Sequence, residues 1–434
     1  MSKSAFRSRG AALAVAAVLA VVAAACGSSG PADSAGSGEL HVWALQDEAQ
    51  QKFQKPAIDS FNKSSKADAK LETFQNAVYP DKLRVAMGSP NAPDVFFNWG
   101  GGSIATYVDN GQIADLTPFL DDNPKVKDAF LPSVLDAGKL ADKYYGVPLR
   151  GMQPVLLFYN KAVLDEAGAQ PPKTWSDVKA LVPKLKAAGI TPFALGAAEA
   201  WTDLMWLEYL TDRIGGQQPF LNILEGKPGA WGDPAITKAL TEIRSLIDSG
   251  GFGTKYNSVG YGNAQASTLL ARGKAAMHLM GTWEYTSQLA EQKEFAEKDI
   301  GWTTFPTVEG GQGDPAAVVG NPTNYFSVNQ RSKDKQAATE FLKQMSTDSY
   351  VDDLIAVGDV PAVKGIEDKL ESAPNSEFSL NVYDLVQKAP TFTLSWDQAV
   401  DSKESQAMIE NLQRFFAKQI TVAEFQENME RAAA

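Results

Sequence analysis

"APDVFFNW", residues 92–99, reads as a buried strand. It does not stand alone. "ELHVWAL", residues 39–45, is equally short and rich in strand-favouring residues, and after it Phe53, Ala57, Ile58 and Phe61 fall at near-helical spacing. Pro56 lies inside that stretch, so its first turn is expected to start late or kink. "VPLRGMQPVLLFYN", residues 147–160, is an extended passage broken by Pro154. "TWSDVKALVPKLKAAGI" is a helix capped by Thr174, with Val178, Leu181, Val182 and Leu185 on one face and Gly189 as its stop. "KAAMHLMGTW" reads as a buried strand ending in a tight turn, and Met408, Leu412, Phe415 and Phe416 set a helical period near the end of the chain. Strands and helices therefore alternate, which argues for an α/β protein with mixed or parallel sheets.

The first residues follow another logic. Lys3, Arg7 and Arg9 precede an apolar run from Ala11 to Ala25, the order of charge and grease that marks a secretory signal. The run is shorter than the ~20 apolar residues a membrane span needs. Cys26, the single cysteine of the chain, has no partner for a disulfide or a metal pair. "GSSGPADSAGSG" after it lacks apolar periodicity and reads as a flexible tether. Residues 1–25 are thus expected to be a signal peptide and residues 26–38 a tether. The body beyond exceeds what one hydrophobic core usually serves, so two domains are expected.

The formal charge is −12, and it becomes −15 once Lys3, Arg7 and Arg9 leave with the leader. Nucleic acid is therefore excluded as a natural partner. Only two histidines are present, His41 and His278, and both sit in strand-like apolar surroundings that suit packed core residues. Neither has a second ligand at metal spacing, so no metal is expected. There is no phosphate-binding glycine loop ending in Lys-Ser or Lys-Thr, and no cofactor is expected. Nine tryptophans are the most informative part of the composition, because several stand beside glycine, threonine or carboxylates rather than inside apolar runs.

Taken in order, "PDVFFNWGGG", "ADLTPFL", "YGVPL", "LLFYNKAVLDEAG", "PPKTWSDV", "GKAAMHLMGTW" and "FSVNQRSKDKQAATEFLKQM" make nearly the whole body resemble the extracellular sugar-binding proteins of ABC importers, the maltose-binding type. "AACG" likewise resembles a bacterial lipobox, with Ala23 where leucine is usual. That second resemblance implies acylation of Cys26 and anchoring at the outer face of the cytoplasmic membrane; an ordinary cleavage at the alanine-rich boundary is the other reading. The first implies two α/β lobes joined by a hinge, with the ligand in the cleft between them. Its expected limits are 39–148 plus 307–358 for one lobe and 149–306 plus 359–434 for the other. Crossings are expected at Val147–Arg150, near Phe305–Thr307 and near Gly358–Pro361. Permease subunits and, through them, a cytoplasmic ATPase are the implied partners of a monomeric receptor.

A sugar presents hydroxyls and weakly apolar ring faces, so its receptor needs flat aromatic platforms and planar polar groups. The resemblance places Trp283 and Trp396 as platforms, with the lobe core as the alternative for each, and Glu199 with Trp201 as an acid and an aromatic reaching the sugar. Trp206 is assigned to the core. Gln46 and Asp47 match a polar sugar-binding pair, although an Asp before a helix is often only its N-cap. Asn98 and Trp99 are both candidates, and because side chains alternate along a strand only one of them is expected to face the ligand. Arg150 either grips hydroxyls with its planar fork or pairs with an acid across the hinge, and Gln153 lies just beyond it. Tyr79 is a rim candidate.

The sugar expected is an oligosaccharide of two or more rings, with xylo-oligosaccharides such as xylobiose first. Cello-, malto- and chito-oligosaccharides and galactosides remain open. Two other classes compete. A secreted glycoside hydrolase would place two acids across a glycosidic bond, and Asp47, Glu199, Asp203 and Asp397 supply carboxylates but no recognisable pair. A receptor for an amino acid or peptide would use fixed charges such as Arg150 with Asp47. The expected function is capture of the sugar by lobe closure, with no catalytic residue.

Overall fold

The computed structural model describes residues 38–433. The expectations for the signal peptide, Cys26 and nearly all of the tether lie outside the described residues. The body from Gly38 onward forms one compact unit. Its strands are β1 (Glu39–Leu45), β2 (Asp68–Phe74), β3 (Val95–Asn98), β4 (Lys139–Leu140), β5 (Lys143–Tyr144), β6 (Val147–Pro148), β7 (Gln153–Asn160), β8 (Thr191–Ala194), β9 (Ala275–Gly281), β10 (Ile300–Thr303), β11 (Val318–Asn321), β12 (Tyr325–Val328) and β13 (Phe392–Leu394). They build two mixed sheets and a small hairpin of β4 with β5.

The first sheet runs β2-β1-β3-β12-β6. β1 is parallel to both β2 and β3, whereas β12 is antiparallel to β3 and β6. All four residues of β3 are buried, as the run Val95–Phe97 requires. Helix Glu48–Ser64 returns from β1 and buries Phe53, Ala57, Ile58 and Phe61. The helix continues through Pro56 and starts at Glu48 rather than late, because Asp47 accepts from Gln50 N at 2.9 Å and caps it.

The second sheet runs β13-β11-β7-β9-β8, with β10 antiparallel to β7. β9 is buried at every residue, and the helix Trp175–Ala187 starts in a capping box of Thr174 and Asp177. Pro154 sits inside β7; the break expected there falls earlier, over residues 149–152. The C-terminal segment folds as two helices, Ser402–Phe416 and Val422–Ala433, separated where Lys418 takes φ +61°. Trp206 is in the core of this half, between Trp175, Phe193, Phe252 and Phe305, as the sequence suggested.

Two of the three expected crossings move. At the first, β6 lies in the first sheet and β7 in the second. The second is not at Phe305–Thr307. Thr307 bridges Thr174, and β11 pairs with β7 and β13, so the stretch up to Asn321 belongs with the second sheet and the chain crosses over 322–324. The third segment does not leave the first half at Pro361, since Leu131 N donates to Ala362 O and Lys364 N to Ala129 O. These limits move because strand pairing is set by partners far away in the chain.

Candidate functional site

In an open sheet of this kind the crevice forms at the carboxyl ends of the strands, where connections leave in opposite directions. Here the chain goes from β1 outward to β2 and then back across to β3, so the residues after β1 and β3 flank that point. They are Gln46 and Asp47, and Asn98 and Trp99.

Gln46 is exposed, and its backbone N–H donates to Phe74 O at 2.7 Å. Asp47 is half-buried; besides capping its helix, its negative charge acts on the Arg150 guanidinium and on the Tyr261 phenol. Asn98 and Trp99 separate as alternation requires. Asn98 is buried, its amide nitrogen donating to Ser327 Oγ at 2.8 Å and its oxygen accepting from Gly100 N at 2.9 Å. Both ends of that side chain are used inside the lobe, so Asn98 shapes the turn. Trp99 keeps exposed surface and stands edge-on to Phe97 and Tyr79 at 4.9 and 6.0 Å between ring centres. Tyr79, expected at a rim, is fully buried with its hydroxyl on Phe97 O at 2.7 Å.

On the second half, three aromatic rings meet. Trp201 and Trp283 are 6.2 Å apart at 52°, and Tyr261 stands edge-on to Trp201 at 5.3 Å. Both indoles are half-buried. The Trp283 ring packs against Gly281, where a methyl group would come 2.0 Å from ring atom Cζ3. Glu199 organises the group: Oε1 accepts from Tyr261 N at 2.9 Å and Gly262 N at 2.7 Å, and Oε2 from Trp201 Nε1 at 3.4 Å. Most of its acceptor capacity is thereby committed to holding the rings.

Behind this wall is a buried charged cluster. Glu284 accepts from Ser267 Oγ at 2.7 Å and Gln288 Nε2 at 2.8 Å, with His278 Nδ1 3.4 Å away. Burial pushes the Glu284 carboxyl up, but His278 and these hydrogen bonds outweigh it and leave the group below its ordinary range. His278 is fully buried as expected; His41 is not, its imidazole being 41% exposed and 3.7 Å from Glu72. Among the described residues no group of metal-ligating side chains gathers, and no helix is long and apolar enough to cross a membrane.

Three sequence candidates lie elsewhere. Arg150 pairs with Asp359, which realises the hinge alternative. Gln153 is buried beside it; with its amide oxygen turned toward the guanidinium, it accepts from Arg150 Nε at 3.0 Å and donates to Asn324 Oδ1 at 3.1 Å. A guanidinium this deep needs acceptors from the protein itself, and Asp359 and Gln153 supply them. Trp396 is only 2% exposed, stacked on Phe220 at 4.6 Å and 3° and edge-on to Trp231. It is a core residue, in correction of the platform role. Sequence reading missed Tyr261, Asp359 and the Glu199 loop contacts, which join residues 62 to 209 positions apart and leave no local signal.

A groove of about 770 Å³ runs along a different flank, lined by Lys52, Lys161, Tyr285, Lys293, Trp302 and Glu377 among others, and contains none of the predicted sugar residues.

Residues 43–352 match the family model for bacterial extracellular solute-binding proteins, and the chain belongs to that family. It is 25% identical over 344 residues to the multiple sugar-binding protein of Streptococcus mutans, covering 74% of this chain and 79% of the relative. It is 27% identical over 280 residues to the xylose/arabinose-binding protein XacG of Haloferax volcanii, covering 63% of this chain and 57% of that one. A structure solved in work on xylan utilization by Caldanaerobius polysaccharolyticus superposes with TM-score 0.81 at 26% identity, over 91% of this chain and 99% of the other. The two-lobed α/β architecture of these binding proteins is therefore the fold of this chain.

Proposed function

We propose that this protein captures an oligosaccharide outside the cytoplasm and delivers it to an ABC importer. The observation that carries the reading is the half-buried Trp201–Trp283 pair, built over Gly281 and steadied by Glu199. Such surfaces match the apolar faces of pyranose rings, while Gln46 and Asp47 offer polar groups from the other half. Trp99, Trp201, Tyr261 and Trp283 complete the proposed contact set, with Glu199 holding Trp201 and the Tyr261 loop in place. The relatives named for sugars support this class over a peptide receptor. The lobes that close are those carrying the two sheets, and closure follows from ligand contacts made by both, since only a differential affinity for the closed state drives such a shift.

Xylo-oligosaccharides, xylobiose first, are the proposed ligands, supported by the likeness to the protein studied for xylan utilization. The receptor works as a monomer, held at the membrane through an acylated Cys26 and read by permease subunits coupled to an ATPase. It is a binder and not a hydrolase: its Asp203 carboxyl is sealed in the core and Glu199 is engaged by its own loop. Calorimetry against xylobiose, cellobiose, maltose, chitobiose and raffinose tests the assignment. Heat with xylobiose and unchanged sugar after long incubation supports it; silence with all five, or cleaved products, overturns it.

A further inference from the structure

The glycines after Trp99 have a specific neighbour. Gly101–Ile104 continues from β3 of the first sheet, whereas residues 394–400 continue from β13 of the second. The two segments touch backbone to backbone. A methyl group built on Gly101 would come 2.5 Å from Leu394 Cδ2 and 2.7 Å from Gln398 O, and one on Gly102 would overlap the carbonyls of Ala399 and Val400. Real Cβ atoms do not approach that closely, and the backbone carbonyls among these neighbours cannot swing away as the end of a flexible side chain would.

We propose that Gly101 and Gly102 are positioning residues for ligand capture: they form the first-half side of a seal against Ala399–Val400, and the lobes reach their closed separation only because neither carries a side chain. The inference rests on the binding-protein reading above and adds residues that touch no ligand. The loop is held from its own side, because Asn98 Oδ1 accepts from Gly100 N and Ser103 Oγ donates to Gly100 O at 2.6 Å. Gly100 takes φ +78° and Gly101 φ +56°, conformations that glycine adopts freely. Gly102 differs, since its φ lies outside the left-handed region. Substitution there adds bulk without backbone strain.

Gly102→Ala is therefore the decisive variant, and Gly232→Ala, where a methyl meets nothing within 4 Å, is its control. The sugar from the panel that the wild-type protein binds is titrated into all three proteins, with small-angle scattering before and after. The expected result is ~10-fold or greater loss of affinity for Gly102→Ala, as the competent closed population shrinks, with smaller compaction on adding sugar. The unfolding temperature of the free variant stays that of the wild type, and Gly232→Ala behaves as wild type throughout. Equal affinity and compaction overturn the seal. A lowered unfolding temperature with affinity retained also overturns it, by making the contact a fixed part of the folded body. A wild-type protein that binds no sugar overturns the functional reading, and the seal with it.

Discussion

Arg150 and Asp359 meet as a two-point ion pair, Nε to Oδ2 at 3.0 Å and Nη2 to Oδ1 at 2.9 Å, although 209 residues separate them in the chain. Arg150 lies in the passage between β6 and β7, and Asp359 lies just before Pro361, which bridges Gly151, so the pair ties these two segments together. Both side chains are about 5–6% exposed, and Thr286 Oγ1 adds a donor to Asp359 at 3.2 Å.

Removing one member leaves the other charged in a dry place. Asp359→Ala is expected to cost about 3–5 kcal/mol, as broken buried pairs do, whereas replacing both by apolar residues of similar size recovers most of it. Denaturant unfolding of the single and double variants measures the difference.

The two tryptophans that the sequence could not tell apart are expected to respond in opposite ways. Trp396→Ala opens a void between Phe220 and Trp231 and should cost about 3–5 kcal/mol of stability. Trp283→Ala removes a half-buried ring from the surface of Gly281, so it should weaken sugar binding strongly while the free protein melts nearly as before. Paired calorimetry and thermal unfolding read both effects.

This contrast marks how far the sequence could be read. Strand-like runs such as Val95–Phe97 and the capping signal at Thr174 carry local information, and the α/β alternation followed from them. Stretches of motif carried the family as well. Asn98, Arg150 and Gln153 were expected to face the sugar, whereas the structure pairs them with Ser327, Asp359 and Asn324, which lie 171 to 229 positions away. Local pattern tells that a polar group needs a partner; it does not tell whether a sugar or the chain supplies it. The second crossing was misplaced for the same reason, since the place of β11 follows from its pairing with β7, far away in the chain.

Glu208 gives the protein a built-in pH dependence. Burial, and then the negative charge of Asp397, push its carboxyl up to about 8, while burial raises Asp397 to about 6. A carboxyl whose folded value lies above its unfolded one binds more protons in the folded state. Its contribution is fully favourable below the unfolded value near 4.5, and stability is lost as pH rises from there through about 8. Unfolding temperatures are thus expected to fall between pH 5 and pH 8.5. Glu208→Gln, which keeps an acceptor for Ser395 Oγ and Trp396 N, should flatten that slope. A Glu208→Gln variant with the wild-type slope would place the pH dependence elsewhere.

Glu199 offers the finest distinction, between touching a sugar and arranging what touches it. Its carboxylate gathers two backbone N–H groups from the 261–262 loop and the Trp201 indole N–H. Hydrogen bonds to a charged acceptor contribute about 1.5–3 kcal/mol each, so the loop owes its place largely to this one side chain. Glu199→Ala should free the loop, raise amide exchange at Tyr261 and Gly262, and weaken sugar binding by letting Trp201 and Tyr261 drift from their edge-on contact. Glu199→Gln retains a carbonyl oxygen for the two backbone donors but turns an amide N–H₂ toward the indole. It should keep the loop protected while disturbing Trp201 alone, visible as altered tryptophan fluorescence. Were Glu199 chiefly a ligand contact, both variants would lose affinity alike, with amide exchange in the free protein unchanged.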